Sequence, residues 1–479
     1  MKQRFSRREL LQKGALIGAV LIGRVFLVAS RALTADIDPV TVKKFGSSLK
    51  GCLILPGDRE YESARHVWDW SVDRHPAMIA RCAEALDVRR SIEFAQTREL
   101  VVAVRSGGHG YWSTCNNGLV IDLSPMKRID VDRNLAMARV EMGVRVAELD
   151  HATQRFGLAA AVGQCSGVGL GGLTLGGGEA NLIAKYGMTC DNVRSADVVL
   201  ADHRMIRADG LVNKDLLWGL CGGGGNFGAV TTFEFELHPV REVVAGTFGY
   251  PADEISNVLH SYRDFAASAP DELSATIQLD STREGKHRLK IFWCWCGPPA
   301  TGERILAQFR SRFKQVHDQV RRMTYLEAQA AGNYQYEPRT ATYHQSRFID
   351  DLSDEIIVAL ASDLPPKGSS WFMIHYHGEV TRRSGRNAFP LRKPGFNPVF
   401  LASWQGAERN ESAVNWVDRM FAATARSNGG VYVNYLGDEG DARVRAAYGS
   451  SYHDLAQLKH KYDPTNFFCM NQNIRSSTK

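Results

Sequence analysis

At 479 residues the chain exceeds one ordinary domain of roughly 150 residues, so at least two hydrophobic cores are expected. Its 44% apolar and 23% charged content with 44 glycines fits a globular enzyme and excludes disordered and fibrous chains. A net charge of +6, spread without a basic stripe, excludes a nucleic-acid surface; nine cysteines with no CxxC pair and no Cys/His cluster exclude a structural metal site.

The first residues stand apart. Ser6-Arg7-Arg8-Glu9-Leu10-Leu11 precedes an apolar run from Ala15 to Gly23, the pattern of a twin-arginine export signal. That route carries folded proteins and suits an enzyme that loads its cofactor in the cytoplasm. Arg24 interrupts the run, and cleavage after Ala35 would leave Leu33 where a small residue is usual; an uncleaved anchor or an untargeted basic tail is the alternative. The run falls well short of the roughly 20 apolar residues a bilayer span needs. Residues 1–35 are therefore read as a signal for the twin-arginine machinery, with a periplasmic or extracellular destination and no stable membrane insertion after processing.

From Pro76 to Glu99 apolar residues recur at helical spacing, predicting two helices with Asp87 capping the second. Strands are predicted at 101–104, 118–123 and 138–142, and a helix over 144–156 ended by Gly157. Strands follow at 193–200 and 229–237, the latter alternating Phe233, Phe235 and Leu237 with Glu234 and Glu236. From 241 to about 430 the pattern changes to longer helices (253–267, 301–313, 411–425) and aromatic strands (289–295, 371–377, 399–404). The last fifty residues open on a strand at 429–435 and hold a helix over 452–462 stopped by Asp463-Pro464.

Two glycine-rich segments carry the chemistry: Arg105-Ser106-Gly107-Gly108-His109, and Gly163 to Gly172 with Cys165 inside it. Each sets one nucleophile among glycines, where backbone amides can approach an anion and the side chain can reach a reactive ring. Gly167 to Gly172 and Gly223 to Gly228 both satisfy GxGxxG. A dinucleotide fingerprint, however, needs a helix opening at its third glycine, and Leu173 to Gly178 is a poor helix start. Gly163-Gln164-Cys165-Ser166-Gly167 also has the form of a hydrolase nucleophile elbow, which needs a helix directly after the nucleophile. Taken singly, Cys165 and His109 are equally well a buried inert thiol and a turn histidine.

As an ordered set, Val104 to His109, Gly118 to Ser124, Gly171 to Gly178, Tyr186-Gly187-Met188 to Asp191-Asn192, Asp215 to Gly228, Asn434-Tyr435 and Tyr462 to Gln472 resemble the berberine-bridge-enzyme-like FAD-linked oxidases of the vanillyl-alcohol oxidase superfamily. The resemblance runs from about 50 to 475. It implies an α+β fold with a two-part FAD-binding domain (40–240 and 429–479) and, over 241–428, an antiparallel-sheet substrate domain backed by helices. It implies FAD bonded covalently to His109 and Cys165, with Arg105, Ser106, Gly107, Gly108, Gly110, Gly171, Gly172, Thr174, Gly176, Gly177, Val230 and Gln472 around the cofactor. Val168 matches the position that leaves oxygen a path to the flavin. Tyr435 matches the catalytic tyrosine, with Tyr111 a second active-site tyrosine. A phenol of pKa about 10 is a poor base, so Tyr435 would need activation by nearby cations or by charge on the flavin.

The implied reaction is oxidation of an alcohol, at a sugar's anomeric carbon or on a secondary metabolite, with O2 as acceptor and H2O2 as co-product. Oxidative cyclisation or aromatisation of a natural product is the alternative within the family. A cysteine hydrolase is a distant alternative, and a flavoprotein scaffold without turnover is another. The sequence departs from the pattern at Glu179 and Ala180, where an aromatic or other neutral residue and then glycine are usual. Glu179 reads as a second base, a contact for a polar substrate or a solvated edge. Cys221 replaces a usual arginine, and the N-Y-x-D ending is stretched to Asn434 to Asp438. His375 and His377 alternate on a predicted strand of the sheet that would roof the site, either touching substrate or serving as ordinary sheet histidines.

Overall fold

A computed structural model describes residues 37–281, 285–331, 339–406, 408–425 and 429–476. The twin-arginine pattern lies outside the described residues. No helix among the described residues is long and apolar enough to cross a membrane.

The chain is α+β, with three principal sheets. A four-stranded sheet runs in the order Cys52–Ile54, Met78–Arg81, Leu119–Asp122, Val102–Arg105, and its last three strands are parallel. A five-stranded antiparallel sheet runs Ile129–Asp132, Met137–Glu141, Ala229–Glu236, Val193–Val199, Met205–Asp209. The third sheet is eight-stranded and antiparallel, with its central strands in the order Glu242–Pro251, His287–Trp295, Leu273–Ser281, Ser369–Tyr376, Gly395–Gln405, Thr340–Ser346.

The helices that back the third sheet follow from their spacing. Ile255, Val258, Leu259 and Tyr262 lie on one face of Ile255–Ala266 and are all buried. Ser353 caps Asp354–Ser362 by accepting from the amide of Ile356, and Asn410 caps Glu411–Ala423 by accepting from Ala413. These helices meet Trp293, Trp371 and Phe400 in one core, separate from the larger core under the first two sheets.

Three expectations differ from the structure. Residues 78–81 form a strand rather than a helix, because Met78, Ile79 and Ala80 are buried in succession between neighbouring strands and helical spacing no longer matters. The helix after it is Ala85–Thr97; Asp87 sits in its first turn, not at its cap, where its carboxylate accepts from the amides of Lys50, Gly51 and Ala83. Residues 429–435 form no strand. Val433–Tyr435 is a single 3₁₀ turn with buried flanks, set against the Thr340–Ser346 edge strand through His344 and the carbonyl of Tyr435 without ladder pairing.

A fourth difference bears on the site. Leu170–Gly176 is a helix of seven residues despite its glycines. Leu170 and Thr174 are buried one turn apart, and a Cβ on Gly171 would lie only 3.0 Å from that of Ser106, so close packing outweighs the poor propensity.

Candidate active site

The strand Val102–Arg105 delivers the Ser106 to His109 turn, and Cys165 sits on the loop before the Leu170–Gly176 helix. The two loops are in backbone contact. A Cβ on Gly107 would overlap the amide of Gly169, and one on Gly169 would overlap that of Gly107. Ser106 locks the pair, its hydroxyl donating to the carbonyl of Met142 and accepting from the amide of Gly171 (3.2 Å). His109 and Cys165 thereby border one cavity of about 360 Å³.

Of the residues singled out from the sequence, Ser106, Gly107, Gly108, His109, Gly110, Tyr111, Cys165, Val168, Gly171, Gly172, Val230, Tyr435 and Gln472 line this cavity. Arg105, Thr174, Gly176 and Gly177 do not. Arg105 is spent on structure, its guanidinium donating to the carbonyls of Ala64, Arg65 and Ser113. Gly176 lies against the Asn434 side chain, and Gly177 against Phe389 and Met188.

The C-terminal segment closes the cavity beside Asn226 and the 222–225 glycines. Asn471 donates to the carbonyl of Gly225 (3.0 Å), Asn226 to that of Gln472 (3.3 Å), and the amide of Ile474 donates to Asn226 Oδ1 (2.9 Å). Lys459, fully buried, donates to Asp463 (2.7 Å) and to the carbonyls of Asn226 and Phe468, so its charge is paired and its hydrogens are used.

The third sheet supplies the roof, and strand parity decides which side chains face down. Phe372 on one strand and Val399 and Leu401 on the next line the cavity. Trp371, Met373 and Phe400, one residue out of phase, enter the helix-packed core. His375 shares that odd phase. It is buried against Tyr262 (hydroxyl to Nδ1, 3.2 Å) and stacked on Phe396, away from the cavity. His377 lies past the strand end, against the carbonyl of Pro270 (3.3 Å).

Burial governs the charges. His109 has free surface, but that surface borders the cavity, deep in protein; burial depresses its pKa to about 4 and keeps the ring neutral. Trp68 stacks on it at 4.6 Å between centroids. Cys165 is pushed up to about 11 by the same loss of water.

The most connected group is Glu179, whose polar side chain stood out in the sequence without an assigned part. It is 4% exposed and borders the cavity, so it is no solvated edge. The hydroxyl of Tyr435 donates to its Oε2 (2.6 Å); the hydroxyl of Tyr376 (2.6 Å) and the amide of Asn397 (2.7 Å) donate to Oε1. Burial raises its pKa, opposed by these three bonds. Tyr435 is raised well above 10, first by burial and then by the carboxylate beside it. The group at the Tyr435 hydroxyl is thus an acid, neither of the activators expected, a nearby cation or charge on the flavin.

Several participants escaped the sequence reading. Trp68, His344, Phe372, Tyr376, Asn397 and Tyr432 are brought in by loops and strands far from the glycine segments, and Trp112 follows His109 by three residues. Only the aromatic density of residues 66–72 and strand alternation around 344 and 372 could have marked any of them.

The residues fit a flavin dinucleotide. Trp112 Nε1 and Asn471 Oδ1 are buried at the cavity wall with no protein partner, and a Cβ at Gly172 or Gly225 would meet nothing within 4 Å, projecting into the space the glycines leave open. Among the described residues no cluster of three His, Cys, Asp or Glu side chains could hold a metal ion.

Comparison with known proteins agrees with this geometry. A model of an FAD binding domain matches residues 76–209, and one described as berberine and berberine like matches residues 431–475. An FAD-linked oxidoreductase of Dictyostelium discoideum is 30% identical over 443 residues, spanning 91% of this chain and 96% of its own. The (R)-6-hydroxynicotine oxidase of Paenarthrobacter nicotinovorans is 28% identical over 450 residues, 89% of this chain and 97% of its own. A crystal structure of 6-hydroxy-D-nicotine oxidase from Arthrobacter nicotinovorans superposes with a TM-score of 0.83 at 28% identity, over 89% of this chain and 98% of that one. The chain is an FAD-linked oxidoreductase and belongs to the berberine-bridge-enzyme-like family.

Proposed function

We propose that this enzyme is an exported oxidase that holds FAD by two covalent bonds, to His109 and Cys165, and oxidises an alcohol at the expense of O2, giving H2O2. The observation that carries the reading is the convergence of those two nucleophiles, distant in sequence, on one cavity that Tyr435 and Glu179 also line. The signal pattern in residues 1–35 supports export by the twin-arginine route. The contacts of residues 429–476 with Gly225 and Asn226 support a flavin domain assembled from both ends of the chain, with residues 241–428 as the substrate domain.

When bound, the flavin supplies a hydride acceptor that can pass electrons on to oxygen. The chain's own residues do the rest. The glycine loops let the backbone approach the cofactor closely, and neutral His109 keeps a ring lone pair for bond formation. Val168, on the cavity wall, would leave oxygen a path to the bound flavin. Tyr435 receives the hydroxyl proton of the substrate, and Tyr111, on the cavity wall, contacts it.

Two substrate classes follow from the resemblance, and relatives include a carbohydrate oxidase of Microdochium nivale as well as the nicotine oxidase. The roof formed by Phe372, Val399 and Leu401 offers no hydrogen bonds to sugar hydroxyls. It favours an aromatic or aliphatic secondary-metabolite alcohol.

Acid precipitation of the purified protein followed by peptide mass mapping tests the cofactor reading. Yellow colour should stay with peptides containing His109 and Cys165, and Cys165→Ala should leave flavin attached through His109 alone. Free pigment from the unmutated enzyme would overturn it. Anaerobic flavin bleaching by vanillyl alcohol against xylobiose, followed by peroxide detection in air, tests the substrate class.

A further inference from the structure

We propose that Glu179 is the proton sink of the oxidation, with Tyr435 relaying the proton to it; this rests on the reading of Tyr435 as the residue that meets the substrate hydroxyl. In one step the substrate O–H bond breaks and its proton bonds to Tyr435 Oη, while the proton already on Oη moves to Glu179 Oε2. The carbon's hydrogen leaves with two electrons as hydride to the flavin of the proposed reaction, and the substrate becomes a carbonyl compound. Tyr435 ends as it began, and Glu179 gains one proton, which returns to solvent before the next turnover.

Geometry and chemistry point the same way. Tyr435 cannot act as a standing tyrosinate near neutral pH, because burial and the adjacent carboxylate both hold its proton on. It can pass a proton on, since Oη already donates to Glu179 Oε2 at 2.6 Å. Oε1 is fully engaged by Tyr376 and Asn397, so the oxygen facing Tyr435 is the one left to accept. The partners of the carboxylate are neutral donors, and burial makes it a stronger base than a solvated one. The titratable groups around it are Tyr376, Tyr432 and Tyr435. Farther out stand Arg392, bound to Asp191 beyond Tyr376, Cys190 beside Tyr432, and His344 on the carbonyl of Tyr435, its ring kept neutral by burial. Glu179 works through Tyr435 and is therefore a positioning residue rather than a catalytic one.

The test uses the purified holoenzyme and begins with readouts that need no turnover. The infrared carbonyl band of a buried carboxylic acid should titrate away with rising pH in the wild type, be absent in Glu179→Gln, and titrate at higher pH in Tyr376→Phe, which removes a bond to the carboxylate. In ultraviolet titration, Glu179→Gln should let Tyr435, and with it Tyr376 and Tyr432, ionise at lower pH, and Tyr435→Phe should remove one of the three. With whichever of vanillyl alcohol and xylobiose bleaches the flavin faster, Glu179→Gln and Tyr435→Phe should each slow bleaching about a hundredfold or more, and the acid limb of the wild-type pH profile should move up in Tyr376→Phe. A carboxyl band unmoved by Tyr376→Phe, or Glu179→Gln bleaching within about threefold of wild type while Tyr435→Phe is slow, overturns the relay and leaves Tyr435 standing. Full-speed bleaching by Tyr435→Phe overturns the earlier reading as well.

Discussion

Burial acts in opposite senses on the two residues proposed to hold the flavin. It strips the proton from His109 and keeps one on Cys165, so at neutral pH the imidazole is ready to attack and the thiol is not. With a thiol near 11, its thiolate fraction grows about tenfold per pH unit below that value. Flavin attachment at Cys165, followed by mass mapping of freshly loaded protein between pH 7 and 9, should therefore accelerate about a hundredfold, while attachment at His109 stays flat.

Asp150 shows the same force with no function attached. It is fully buried, one oxygen is unpartnered, the other accepts from Gln329 (3.1 Å), and its pKa is raised to about 7. Its unfolded counterpart ionises near 4, so the cost of folding grows as pH rises from there to about 7 and is constant above. Asp150→Asn should stabilise the protein at pH 8 by roughly 1–4 kcal/mol and by less at pH 5, read from denaturant midpoints at the two values. Nothing in the sequence around Asp150 signals this, because burial is a property of the folded chain.

At the level of elements, the two glycine loops work as one unit, since Gly107 and Gly169 touch through their backbones. Gly107→Ala should yield protein without yellow colour. Gly167→Ala, whose Cβ would meet nothing within 4 Å, should bind flavin normally; absorbance of the purified variants distinguishes the two. Strand phase sorts the roof. Phe372 and Val399 reach the cavity while His375, although only three residues from Phe372, belongs to the opposite face. Local patterns were legible where amphipathic spacing survives, as in Tyr452–Tyr462 and Ala229–Glu236. They failed where packing outweighs propensity, in the strand Met78–Arg81 and the glycine-laden helix Leu170–Gly176.

Across the whole molecule, one link between the roof and the lower sheets is a buried ion pair. Arg392 donates to both oxygens of Asp191 at 2.7 and 2.8 Å, with side chains 5% and 1% exposed, and also to Asn387. Arg392→Met leaves a buried carboxylate with no cation and should cost about 3–5 kcal/mol, measured by denaturant unfolding; pairing it with Asp191→Leu should recover much of the loss.

By itself the amino-acid order determined the family, the flavin, the α+β class and the two nucleophile-bearing loops, because those are short contiguous motifs whose glycines and strands are read locally. Only the tertiary structure decided that Glu179 is a buried partner of Tyr435, that His375 turns away from the cavity, and that Arg105 serves the backbone. Each of these depends on residues hundreds of positions apart, and on the water their packing removes.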